Sequence, residues 1–210
     1  LCGAHLRAGI RRYGAIPANN EYHSETGLRT LLGFIVRETV KYDRGIEPVF
    51  CYAKEHYVRA HFRLVNSVTA ADKAIARLGY TLQCTRCPGR REQAGLIAET
   101  VRCGECGGFM KPVGPLWLGE IQNQGVISAM KDTLPSMKLN TSRMLALLLD
   151  RLSEELPTSS YYDYHALAKV AGVSPRPLSE VIAILRERGY RAGRAHYSGI
   201  ALKTDAAAGE

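Results

Sequence analysis

Apolar residues recur at helical spacing after residue 24, so that Leu28, Leu32 and Ile35 would share one face of a helix. Ser24 is a suitable N-cap residue, because its hydroxyl can accept a hydrogen bond from a backbone N–H of the first turn. The pattern therefore predicts a helix over residues 24–42. Its apolar stripe is broad, and we expect the helix to pack on a sheet.

The next stretch changes from helical spacing to alternation. Residues 46–53 and 57–65 are rich in β-branched and aromatic residues, and Lys54-Glu55-His56 separates them, which predicts an antiparallel hairpin. In the second strand, apolar residues alternate with Arg59, His61 and Arg63. This cationic face has two explanations that the sequence leaves open: a solvated strand surface, or a surface that contacts phosphates.

Three helices and a β-ribbon are predicted in the last third of the chain, over residues 141–156, 164–171, 177–188 and 191–203. Asn140 is the expected N-cap of the first of these helices. The order is typical of a winged helix, which binds either nucleic acid or another protein surface. The ribbon carries four candidate contacts to a nucleic acid, which are Arg191, Arg194, His196 and Lys203.

Two Cys-x-x-Cys pairs lie between these parts, Cys84 with Cys87 and Cys103 with Cys106, separated by fifteen residues. This spacing is typical of a tetrahedral zinc site, and four cysteines close the coordination shell, so the predicted zinc is structural. Two disulfides, a redox role or reduced core cysteines are the alternatives. A helix over 70–78 and a strand over 80–83 are predicted before the first pair, and a strand over 109–113 after the second. Trp117 is expected to be a packing anchor, with a platform for base stacking as the alternative.

Bulk composition changes this picture in two respects. The 210 residues are 46% hydrophobic and 23% charged, with no apolar run long enough for a transmembrane helix, so we expect no membrane partner. The formal net charge is +8, which favours a polyanionic partner and most simply a nucleic acid. The two other cysteines, Cys2 and Cys51, have apolar neighbours and are expected to be buried free thiols, typical of a reducing, cytoplasmic compartment.

No complete active site is recognisable in the sequence. It contains neither a Gly-x-Gly-x-x-Gly loop after a strand nor a phosphate-binding loop, and its 6 histidines form no close metal-binding pair. Glu21, His23 and Glu25 place two carboxylates beside an imidazole at a helix start. Such a group could be catalytic, although a capping network is the simpler interpretation.

Several motifs together resemble the tRNA guanine-26 N2-dimethyltransferase family, over essentially the whole chain. They are Leu1-Cys2-Gly3-Ala4, Arg12-Tyr13-Gly14-Ala15, residues 20–33, Lys41-Tyr42-Asp43, Ile46-Glu47-Pro48, His56-Tyr57-Val58-Arg59, the cysteine pairs, Gly114-Pro115-Leu116-Trp117-Leu118-Gly119, Arg194-Ala195-His196-Tyr197-Ser198-Gly199 and Lys203-Thr204-Asp205. The resemblance implies an S-adenosylmethionine-dependent enzyme that methylates the exocyclic amine of a tRNA guanine. It also implies that the donor-binding loop and an Asp-Pro-Phe-Gly-type catalytic motif lie upstream of residue 1, so no catalytic or cofactor-binding residue is expected in this chain.

The expected architecture is a multidomain α+β protein. Residues 1–68 would be the end of a class I methyltransferase α/β sheet, 69–119 a zinc-ribbon-like module, and 120–210 a winged-helix-like domain. With the resemblance, the partner becomes tRNA rather than DNA, and the candidate tRNA contacts are Arg59, Arg63, Arg191, Arg194, His196 and Lys203. The alternative is a free-standing zinc-ribbon and winged-helix nucleic-acid-binding protein similar to a transcription factor, which leaves the helix and hairpin of residues 1–68 unexplained.

Overall fold

Seven α-helices and eight strands occur in the described part of the computed structural model, which comprises residues 3–55 and 57–208. The helices are α1 (Leu6–Tyr13), α2 (His23–Thr39), α3 (Val68–Ile75), α4 (Gln124–Thr133), α5 (Ser142–Glu154), α6 (Tyr164–Val170) and α7 (Leu178–Glu187). The strands are β1 (Arg44–Lys54), β2 (Tyr57–Asn66), β3 (Leu78–Cys84), β4 (Arg90–Ala94), β5 (Met110–Trp117), β6 (Tyr162–Asp163), β7 (Ala192–Arg194) and β8 (Ala201–Thr204). None of these helices is long and apolar enough to cross a membrane.

Helix α2 forms the centre of the largest core. Leu28, Leu32 and Val36 are fully buried, and they belong to one cluster with residues of β1, β3 and β5. The expectation that this helix packs on a sheet is therefore confirmed. The predicted cap is wrong: Tyr22 occupies the N-cap position and Ser24 lies inside the helix, which ends at Thr39 and continues as a short 3₁₀ turn.

Strands β1 and β2 form the predicted antiparallel hairpin, as a two-stranded sheet. The alternation holds for most of β2, where Arg59, His61 and Arg63 are exposed and the apolar residues between them are half-buried. Leu64 departs from it and is 49% exposed. A bulge between Pro48 and Phe50 shifts the register of β1 opposite Phe62 and His61. His56, in the predicted turn, lies outside the described residues.

The middle of the chain is a three-stranded antiparallel sheet in the order β4-β3-β5. Helix α3 precedes it and begins earlier than predicted, because Ser67 caps it by accepting a hydrogen bond from the backbone of Ala70. Strand β4 is polar and was not predicted. Trp117 is 5% exposed in the α2 core, which confirms its packing role, and its Nε1 donates to the carbonyl of Glu120.

The last unit contains α4 to α7 and a small antiparallel sheet in the order β6-β8-β7. Helix α4 was not predicted. Asn140 does not cap α5, whose N-cap position is Thr141, and the predicted ribbon is reduced to two short strands. The tail from residue 205 packs on this unit at least through Ala206, which is 6% exposed. Residues 209–210 lie outside the described part.

Candidate metal centre and cationic surface

The two Cys-x-x-Cys pairs converge on one point. Their four Sγ atoms all lie within 4.8 Å of one another, with Cys84 3.4 Å from Cys106 and Cys87 3.6 Å from Cys103. Four thiolates on a zinc ion with bonds of about 2.3 Å are about 3.8 Å apart, so this set of atoms fits the ion. The two cysteine pairs thus meet at one point, as a shared metal ion requires.

The sulfurs of the first Cys-x-x-Cys pair, Cys84 and Cys87, accept hydrogen bonds from the backbone. The backbone N–H of Arg86 points at Cys84 Sγ and that of Gly89 at Cys87 Sγ, both at 3.4 Å. Hydrogen bonds of this kind favour the charged thiolate. At Cys87, burial outweighs the N–H of Gly89 and raises the pKa, whereas the N–H of Arg86 is the main reason that the pKa of Cys84 is lowered to about 6 and its thiolate is favoured. Such a thiolate is the form that binds a metal ion.

Two glycines let the chain turn tightly around the sulfurs. A Cβ at Gly89 would lie 3.1 Å from both Cys87 Sγ and Cys103 Sγ, and one at Gly108 would lie 3.1 Å from Cys84 Sγ. Either contact would displace a ligand. Glycine at these two positions therefore follows from the packing of the metal site.

The alternatives to zinc have less support in the geometry. The four cysteines are free thiols, and sulfurs 3.4 and 3.6 Å apart are well beyond a disulfide bond of about 2.05 Å. A zinc ion bound by all four would cross-link β3, which ends at Cys84, to the loop before β5. Cys51 is buried as expected, and burial raises its pKa to about 11, whereas Cys2 lies outside the described residues.

The hairpin cations lie on the surface, as the alternation predicted. Arg59 and Arg63 are both exposed. The guanidinium carbon of Arg59 lies 5.7 Å from the ring centroid of Tyr57, and Arg63 lies opposite Glu47 in the β1–β2 register. Neither forms an ion pair with a carboxylate of the described residues.

The arginines near the ribbon differ from each other. Arg191 is exposed, but its Nε lies 2.8 Å from a carboxylate oxygen of Asp205. Arg194 is half-buried in β7, opposite Leu202 of β8. The charge of Arg191 is thus partly neutralised within the protein.

Lys203 and His196 are not on the surface, which contradicts the expectation that they contact tRNA. The side chains of both are 0% exposed. Lys203 Nζ lies 2.7 Å from Glu25 and 2.9 Å from Glu155, and His196 Nδ1 lies 2.6 Å from Glu155. A phosphate could not reach these nitrogens without unfolding their surroundings, so we do not retain them as tRNA contacts.

These residues instead belong to a buried ion network of Glu25, Arg29, Glu155, His196 and Lys203. Arg29 donates to Glu25 and to the carbonyls of Trp117 and Gly119, at 2.9, 2.9 and 2.8 Å. Burial raises the pKa of Glu155, but Lys203 and His196 outweigh it and leave the pKa below its ordinary value. The network connects α2, the end of α5 and β8 in one water-excluded site.

The sequence contained little signal for this network. Glu25 was expected in a capping or catalytic group at the helix start, yet it is fully buried between Arg29 and Lys203. Glu21 contacts Arg90, and His23 Nδ1 lies 2.9 Å from the carbonyl of Asn20. Both carboxylates of the candidate catalytic group are therefore engaged in ion pairs.

Comparisons with known proteins agree with the sequence motifs. The model of a family described as N2,N2-dimethylguanosine tRNA methyltransferase matches residues 1–210. Similar curated proteins, each named tRNA (guanine(26)-N(2))-dimethyltransferase, come from Methanosphaerula palustris (53% identical) and Methanoculleus marisnigri (54% identical). Each match covers 98% of this chain and 56% of the relative.

A solved structure is also similar. Trm1 from Pyrococcus horikoshii, in complex with S-adenosyl-L-methionine, superposes with a TM-score of 0.89 at 32% identity, and the match covers 100% of this chain and 54% of that one. The chain thus spans about half of the length of the relatives that it matches.

Proposed function

This chain belongs to the N2,N2-dimethylguanosine tRNA methyltransferase family. We propose that it is the tRNA-binding part of an S-adenosylmethionine-dependent enzyme that methylates guanine 26 of tRNA at N2. The observation that carries the proposal is the 53% identity over 98% of the chain to a relative of that name. The match includes residues 1–68, so the alternative of a free-standing zinc-ribbon and winged-helix protein is not favoured. Cytoplasmic location stays a prediction.

Within this proposal the three segments have different roles. Residues 1–68 complete the methyltransferase sheet, 69–119 form the zinc module, and 120–210 form a winged-helix-like domain. The order α5-β6-α6-α7-β7-β8 and the sheet order β6-β8-β7 support the last assignment. Zinc supplies a cross-link, held by Cys84, Cys87, Cys103 and Cys106, rather than a reaction step.

The methyl donor has no assigned site in this chain. A donor site of this type needs a glycine-rich loop after a strand, and the sequence has none. We therefore assign no donor-binding or catalytic residue here. In the complete enzyme, the guanine must leave its stack for N2 to reach the methyl group, and a carboxylate must hold or accept a proton of this weakly nucleophilic amine.

The contribution of this chain is to bind tRNA through its phosphates. Arg59 and Arg63 on the hairpin and Arg191 and Arg194 near the last sheet are the proposed contacts, and Lys and Arg outnumber Asp and Glu by 28 to 20 overall. Folded RNA is recognised largely by shape and phosphate contacts, and a surface of separated arginines is suited to this.

The proposal is tested by combining binding with methyl transfer. The chain alone should bind a tRNA transcript with an affinity that falls linearly with salt on a log–log plot, and should not methylate it. When it replaces the matched region of the Methanosphaerula palustris enzyme, the chimera should methylate guanine 26, and the same chimera with Cys103→Ser should lose zinc and activity. Salt-insensitive or absent tRNA binding, or methyl transfer by the chain alone, would contradict the proposal.

A further inference from the structure

A groove lies between the tip of the β1–β2 hairpin and helix α5, which touch where Lys54 Nζ lies 2.8 Å from Met144 Sδ. Its volume is about 380 Å³, within the range of small-molecule sites. The residues that define its chemistry are Tyr52, Lys54, Tyr57, Met144, Leu147 and Arg151.

The hairpin wall of the groove is aromatic. In the β1–β2 register Tyr57 pairs with Lys54, so its ring lies diagonally across the hairpin from that of Tyr52. The two ring centroids are 6.2 Å apart in an edge-to-face arrangement. Tyr57 is 45% exposed, and Arg59 lies against its ring. A flat ring is thus presented to solvent with a cation beside it.

The wall of the groove formed by α5 is largely apolar. It is a different face of the helix from the one that is buried in the core. Leu149 and Leu152 are fully buried in a core with α4. Met144, Leu147 and Arg151 recur at intervals of three and four residues, so they form a second stripe along the helix. Met144 is 50% exposed and Leu147 is 56% exposed, and a stripe of this kind favours a ligand surface over a solvated one.

The charges of the groove are of one sign. Lys54 and Arg151 line it, and no Asp or Glu is among its described lining residues. His196 lies at its inner end, where Nε2 accepts a hydrogen bond from the Ala53 N–H and Nδ1 donates to Glu155. These bonds anchor the hairpin tip to the buried ion network, so the groove has a rigid base.

We propose that this groove binds one unpaired nucleotide of the tRNA, with the base between Tyr57 and the apolar stripe of α5 and the adjacent phosphates near Lys54 and Arg151. Single-stranded nucleotides are recognised by stacking on aromatic rings, with cations on the backbone. An apolar partner would not use the two cations, and an acidic peptide would not use a flat exposed ring. The inference rests on the proposed tRNA binding, and it assigns to this groove the place where an unstacked base would be held.

The test measures binding of the chain to a ten-nucleotide oligouridylate and to an RNA duplex of the same length, at several salt concentrations. Tyr57→Ala should weaken binding of the single strand about tenfold without changing the salt slope. Arg151→Gln should reduce that slope by about one. Duplex binding should respond much less to Tyr57→Ala, because paired bases cannot enter the groove.

Tyr42 provides a matched control. It is 73% exposed and lies just before β1, at the end of the strand opposite the hairpin tip. Tyr42→Ala should bind the oligonucleotide as the unmodified chain does. In the unmodified chain, photo-crosslinking with 4-thiouridine RNA should give adducts on Tyr52 or Tyr57, a readout that needs no variant.

The outcomes separate this inference from the proposed function. If RNA binds with a steep salt dependence but Tyr57→Ala equals Tyr42→Ala and no adduct maps to the groove, the groove is not a nucleotide site, and a protein segment becomes its expected occupant. If the chain binds no RNA at all, the proposed function fails together with this inference.

Discussion

The cysteine site and the buried ion network stabilise charge in the interior by opposite means. At the cysteine site, four ligands of one sign converge, and the compensating cation must come from outside the chain. In the network, Glu25 and Glu155 are compensated by Arg29 and Lys203, which belong to the chain itself. The first site would therefore need a bound metal ion, whereas the second forms only as the fold closes.

The two sites also differ in the separation of their parts along the sequence. Cys84 and Cys106 are 22 residues apart, whereas Glu25 and Lys203 are 178 apart. The cysteine site can thus form within one module, while the network requires the first and last parts of the chain to meet. Loss of the first should be local, and loss of the second should loosen the packing of the last unit on the first.

The largest expected effect is loss of the zinc module in Cys103→Ser. Zinc contributes about 10–16 kcal/mol to the folding of small zinc-finger peptides, so a module without its ion should unfold. Hydrogen exchange should show lost protection over residues 82–110, around the cysteine site, with α5 and α7 largely protected. The metal content should fall below one zinc per chain.

Cys51→Ala is the control for that variant, because Cys51 is a buried thiol outside the cysteine site. It should cost stability by leaving a small cavity, yet retain one zinc per chain. Equal zinc content in the two variants would contradict the assigned ligands, and unfolding of α5 and α7 in Cys103→Ser would contradict the local character of the site.

The next effect concerns Lys203→Met. This change leaves Glu25 and Glu155 buried with one cation fewer, and breaking a buried ion pair in this way costs about 3–5 kcal/mol. Urea unfolding should show the loss. Lys169→Met, at an exposed position of α6, should be nearly neutral. A small effect of Lys203→Met would mean that water or a rearranged side chain replaces the ammonium group.

Acidification should weaken the buried ion network by degrees, whereas Lys203→Met removes one of its charges outright. Lys203 and His196 hold the pKa of Glu155 below its ordinary value of 4.5, so this stabilisation is present above about pH 4.5 and is lost as the pH falls below it. One extra proton bound by the unfolded chain gives a slope of about 1.4 kcal/mol per pH unit. Glu155→Gln should be less stable at neutral pH and should have a shallower slope below pH 4.5. Parallel slopes in urea unfolding at pH 3–7 would contradict this.

Local features were predictable from the sequence because they depend on residues close together. The spacing of the cysteines was sufficient to predict that their sulfurs lie together, and the alternation in β2 was sufficient to predict the hairpin. Helix α4 was missed because its apolar residues are few, with Ile127 the one fully buried in it. Strand β4 was missed because it is polar, and its pairing with β3 comes from the sheet rather than from an apolar pattern.

Lys203 and His196 show the limit of reading charge from sequence. Both lie among cations in a predicted ribbon, and a count of charges places them on the surface. In the structure they are buried as partners of Glu25 and Glu155, which come from other parts of the chain. No local sequence pattern marks such pairs. Only the three-dimensional structure shows which charged residues are free to contact a partner and which ones stabilise the fold.

The smallest effect distinguishes two kinds of surface cation. Arg63→Gln should leave stability within about 0.5 kcal/mol and reduce the salt slope of tRNA binding by about one, because an exposed arginine on the hairpin would release one counterion. Arg191→Gln should reduce the slope by less, since Arg191 is already paired with Asp205 and must give up that carboxylate before it can contact a phosphate. Asp205→Asn should then increase the contribution of Arg191. If Arg191→Gln lowers the slope as much as Arg63→Gln does, the pair with Asp205 opens on binding.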